Sequence, residues 1–122
     1  EKSHRRSIYR FVVRSQPNPF MTTLDCADSS QSTPKRNETL TALQALSLLN
    51  NKFTLVMARH FADRLAVEEV KISRQVEIGF ELVAGRPPSA EEQNLLAEYA
   101  SKHGMANLCR SLFSLSEFAF ID

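Results

Sequence analysis

From residue 37 onward apolar residues recur at helical spacing, and before it they do not. "TLTALQALSLLN" (39–50) sets Ala42, Ala45, Leu46 and Leu49 on one stripe, widened by Leu40, Leu43 and Leu48. A helix apolar over so much of its surface is expected at the centre of a core. Asn51 then offers a side-chain oxygen to cap the next helix. That helix, "KFTLVMARHFADRLA" (52–66), carries Phe53, Val56, Met57, Phe61 and Leu65 on one face. A third helix, roughly 68–84, aligns Ile72, Val76, Phe80 and Val83 against a charged opposite face. In the fourth, Leu95, Leu96 and Tyr99 form the inward side. A fifth, about 105–115, shows Leu108, Cys109, Leu112 and Leu115. The closing "SEFAFID" is apolar enough to dock on the body.

The boundaries between these helices are written in local chemistry. Gly85 stands where a helix ends, since glycine adopts positive φ without a Cβ penalty. Pro87 and Pro88 forbid continuation. Arg86, between them, is expected to bond the last carbonyls of the helix it follows. Ser89 and Glu92 have the spacing of a capping box, with Ser accepting from the third helical amide and Glu reaching back. Glu91 and Glu92 sit at the positive end of the dipole, Lys102 and His103 at the negative end. Gly104 closes that helix. Short connections predict antiparallel neighbours. The fold class expected is all-α, about five helices.

Residues 1–36 read differently. They hold Pro17, Pro19 and Pro34 and the polar run "DSSQSTPKR" (28–36). "SIYRFVVR" (7–14) alternates Tyr9, Phe11 and Val13 on one face, which suits a short strand or extended arm. "SQPNPFMTT" is not expected to be helical through Pro17 and Pro19. The segment is expected to be an extended arm belonging to the same domain as the helical body 37–122. It is expected to lie along that body with Tyr9 and Phe11 buried.

The chain has 122 residues, enough for one modest core. The start "EKSHRRSIYRF" has neither an initiator Met nor an apolar leader, which reads as a piece of a longer protein. Net charge is +1, so no global field draws the chain to nucleic acid or acidic lipid. Arg6, Arg10, Arg14 and Arg36 nevertheless make the arm basic, and they are candidate binding residues. Pairing with helix carboxylates such as Asp63, Glu68 or Glu117 accounts for them better than nucleic acid does, because no recognition motif accompanies them. Cys26 and Cys109 lack a C-x-x-C spacing, so neither a metal site nor haem attachment is expected.

Candidate chemistry is sparse. His60 has no ligand partner one turn away. With three glycines in the chain, a phosphate-cradling loop has no place. Asp25 and Asp28 in "LDCAD", with Glu117, are the carboxylates that acid–base chemistry could use, although aspartates in an irregular polar segment more often form turns. Gln44 and Asn50 flank the first helix, where buried amides would bond the backbone of the arm.

Several stretches in order resemble a known family: "RRSIYRFVVR" (5–14), "PNP" (17–19), "LDCAD" (24–28), "LQALSLLNN" (43–51), "ARHFADRL" (58–65), "GRPPSAEE" (85–92) and "LCRSLFSLSEFAFID" (108–122). Together they are similar to the C-terminal part of the planctomycete cytochrome-associated domain of unknown function. This chain departs from that pattern at Leu40, Ala42, Ala27 and Ser116. The resemblance implies a large extracytoplasmic protein, periplasmic or secreted, with further domains. Any haem would belong to one of those, and no cofactor is expected in this chain.

Residues and resemblance together lead to a non-catalytic helical interaction or scaffold module whose partners are other domains of its parent protein. The alternatives are an enzyme domain acting on extracellular polysaccharide through its carboxylates, and nucleic-acid binding through the basic arm. The residues expected to be structural are Gly85, Arg86, Ser89, Glu92 and Gly104.

Overall fold

The computed structural model describes residues 9, 11, 13, 15–27, 31, 32, 34, 35, 39 and 41–119. Among them are seven helices and no strand: α1 (Pro19–Thr23), α2 (Ala42–Asn50), α3 (Lys52–Glu68), α4 (Ile72–Ala84), α5 (Ala90–His103), α6 (Met105–Leu112) and α7 (Ser116–Ala119). The protein is all-α, with two short helices, α1 and α7, beyond the five expected. The chain divides into two compact units, Glu1–Gln44 and Ala45–Asp122, with the division inside α2.

In the first unit, α1 corrects the reading of "SQPNPFMTT". Pro19 does not block this helix but opens it, since a first-turn residue has no intrahelical use for its amide. Asn18 stays extended and its Oδ1 accepts from Met21 N at 3.2 Å. Tyr9, Phe11 and Val13 are not a strand, and the first two are 71% and 88% exposed, against the burial expected of them. Alternation shows that side chains can share a face. It does not supply the ladder partner that a strand's amides need.

In the second unit, α6 is the central element although it has only eight residues. Leu108 and Leu112 pack with Val76 and Phe80 of α4 and Ala100 of α5. Cys109 points to the other side and packs with Ala58, Ala62 and Leu65 of α3. The buried face of α3 meets the expected one at Leu65, with Phe61 packed beside it, but it is shifted toward small residues. Thr54, Ala58, Ala62 and Leu65 are inside, while Phe53 and Val56 are exposed. The physical reason is distance: small side chains let helix axes come together, and a phenylalanine would hold them apart. Gly79 serves the same end on α4, because a Cβ there would stand 2.9 Å from Leu65 Cδ1.

Helix α2 is also corrected. It is not central: Gln44 is its sole buried residue, and Leu43 and Leu46 are more than half exposed. Helix α4 starts at Ile72 rather than near 68, because Glu69 turns to extended backbone and its carbonyl accepts from buried Gln75 Nε2 at 2.6 Å. On α5 the buried residue is Ala100, with Leu95 exposed and Leu96 half-buried. No helix of the described residues is long and apolar enough to cross a membrane.

Candidate functional site

A polar cluster of the second unit lies where α4 ends, α5 begins and α7 docks. Gly85 takes φ +70° and its amide donates to Glu81 O, which terminates α4. The turn delivers Arg86 over the ring of Phe80, with its guanidinium carbon 4.9 Å from the ring centroid. Ser89 Oγ accepts from Glu92 N at 3.2 Å and Glu92 Oε2 accepts from Ser89 N at 2.7 Å, completing the capping box.

Arg86 does not bond the last carbonyls of α4, as expected from its position. Its Nη1 and Nη2 grip Glu92 at 3.0 and 2.8 Å, and its Nε donates to Glu117 Oε1 at 3.1 Å. Nη1 also reaches Pro87 O at 3.4 Å. A bidentate guanidinium–carboxylate pair outcompetes a neutral carbonyl for the same donors. The hydrogen bond from Arg86, followed by the one from the Ser89 amide, holds the Glu92 carboxyl down to about 2. Its hydrogen bonds to Glu92 and Glu117 push the arginine further above its ordinary range. Of the expected structural residues, Gly85, Arg86, Ser89 and Glu92 thus meet in one place. Gly104, at φ +87°, separates α5 from α6 elsewhere in the unit.

Glu117, an expected acid–base candidate, is consequently engaged in an ion pair. Asp25, in the first unit, is also engaged. It takes φ +54°, and its Oδ2 accepts from Thr39 N (2.8 Å), Thr39 Oγ1 (2.7 Å) and Gln44 Nε2 (2.9 Å). Gln44 in turn accepts from Thr41 N at 3.0 Å. The amide of Gln44 thus reaches the Asp25 side chain of the arm rather than its backbone. A carboxylate that already accepts three hydrogen bonds is built to shape a loop. Asp28 and the arm arginines Arg6, Arg10, Arg14 and Arg36 lie outside the described residues.

Thr39, Gln44 and Phe80 complete these clusters, and spacing alone does not pick them out as partners. Arg110 is a further case: its Nε donates to Leu49 O at 2.7 Å and its Nη2 to Asn50 Oδ1 at 2.7 Å, joining α6 to the end of α2. Leu49 O is one of the carbonyls that a helix end leaves unsatisfied. A shallow hollow of about 290 Å³, lined by Leu95, Leu96, Tyr99, Leu108 and Ser111, lies between α5 and α6. Its lining is aliphatic and aromatic apart from Ser111, whose hydroxyl donates to Asn107 O.

Residues 1–100 match PSD1, described as a protein of unknown function (DUF1553). The chain belongs to this family. The match takes in Asp25, Arg86 and Glu92 and ends within α5, before Glu117. The resemblance drawn from the motifs holds at this level, that of a family whose function is unknown. No match was found among curated proteins or among solved structures.

Proposed function

We propose that this PSD1 chain is a non-catalytic interaction module of a large extracytoplasmic planctomycete protein, and that it contacts other domains of that protein. The observation that carries the reading is the turn joining α3 to α4. Within six residues the end of α3, this turn and the start of α4 present Val67 and Val70, each 88% exposed, and Ile72, 45% exposed. Single exposed apolar residues are ordinary, but three β-branched ones within six residues suit a surface that another domain covers. Among the described residues, the carboxylates of the two polar clusters are meanwhile committed to structure: Glu92 and Glu117 to Arg86, and Asp25 to Thr39 and Gln44. The extracytoplasmic setting and a cytochrome-bearing neighbour rest on the motif resemblance. In this reading any haem is held by the neighbour.

Hydrogen exchange on this chain alone and within its parent protein tests the proposal. Amides of residues 67–72 should exchange about tenfold more slowly in the parent protein. Val67→Asp with Val70→Asp should abolish that difference while leaving the isolated chain's melting temperature unchanged. Equal exchange in both settings would overturn the reading. Fractionation of cells should place the parent protein outside the cytoplasm, and cytoplasmic retention would overturn that part.

A further inference from the structure

Helix α7 is held at the surface of its unit. None of its four residues is buried. It packs against α4, and two neighbouring side chains tether it. Glu117 binds the Nε edge of Arg86 at 3.1 Å, while Phe118 stacks on Phe113 with ring centroids 5.2 Å apart. Phe113 itself stacks on Phe61 at 5.6 Å, so Phe118 is the outermost ring of a series rooted on α3. Both amides that α7 bonds locally donate to Leu115 O, in the turn that precedes it.

The arginine is built for two carboxylates, and only one of them is integral. Glu92 is fixed by the capping box and takes Nη1 and Nη2. Arg86 therefore keeps a bidentate partner whether or not Glu117 is present. The Arg86–Glu117 pair has both side chains more than two-fifths exposed, so solvent and salt screen it. Loss of α7 would uncover a cationic edge beside an aromatic face.

We propose that Arg86 and Phe113 form a recognition site for a polypeptide segment in which a carboxylate residue precedes an aromatic one. The chain's own Glu117–Phe118 fills it as a displaceable latch. A partner segment of the same chemistry would compete with α7 for the site, and release of α7 would be the signal of its binding.

The test uses the full chain with Glu117→Gln and Phe118→Ala, singly and together. In each variant the α7 amides should exchange at least about tenfold faster, with α5 and α6 amides unchanged. A synthetic SEFAFID peptide added to the double variant should return the Arg86 Nε–H resonance toward its position in the unaltered chain. An SQFAFID peptide should not. Unchanged α7 exchange would overturn the proposal, as would loss of protection or helix across α5 and α6 together. A peptide that leaves the Arg86 resonance unmoved would overturn it as well.

Discussion

Leu65 and Gly79 offer a sharp test of how the second unit is packed. Leu65 is 1% exposed, and a Cβ on Gly79 would stand 2.9 Å from its Cδ1 and 3.9 Å from Leu112 Cδ1. Leu65→Ala should cost about 2–5 kcal/mol, because transfer energy is lost and a cavity remains. Gly79→Ala combines two opposed effects. A helix-interior alanine is favoured over glycine by about 1 kcal/mol. Forcing Leu65 out of its well-packed position costs about 1–3 kcal/mol. The steric effect should prevail in the unaltered chain, giving a net loss of about 0–2 kcal/mol. In the Leu65→Ala background the obstacle is gone, and Gly79→Ala should instead stabilise by about 1 kcal/mol. The coupling between the two positions is then about 1–3 kcal/mol, well above the scatter expected of independent sites. Urea denaturation followed by circular dichroism measures all four chains, with an unchanged slope showing that midpoint shifts report stability. If Gly79→Ala stabilises equally in both backgrounds, Leu65 does not rest on Gly79 and the argument for close α3–α4 approach fails.

Two further predictions follow from the ionisable groups. The Glu92 carboxyl is held at about 2 in the folded chain against an ordinary value of 4.5, so its contribution is present above pH 4.5 and is lost as pH falls toward 2. Melting temperature should decline through that window and Glu92→Gln should flatten the decline, whereas an identical acid profile in the variant would refute the assignment. Burial pushes the Cys109 thiol up to about 12, so in the native chain iodoacetamide at pH 8 should modify half-buried Cys26 and spare Cys109 until denaturant is added. Rapid native labelling of Cys109 would show that the α3–α6 contact opens readily.

The sequence determined those features whose partners lie within a few residues. Asn51 caps α3, Ser89 and Glu92 cap each other, and Gly85 and Gly104 carry positive φ where helices end. Such bonds close through short loops, so their geometry is nearly fixed by local spacing. The all-α class and the Leu108–Cys109–Leu112 core of α6 were legible for a related reason, since periodicity is a local property. Tertiary structure decided what periodicity leaves open. Helix α3 has more apolar surface than one neighbour can cover, and close approach of α6 selected its alanines over Phe53 and Val56. Helix α2 buried an amide, Gln44, because Asp25 and Thr39 offered it hydrogen bonds. Arg86 found Glu117 31 residues away, and Arg110 found the carbonyl of Leu49 61 residues away. Those pairings depend on which helix ends the packing brings together, and no local rule encodes that.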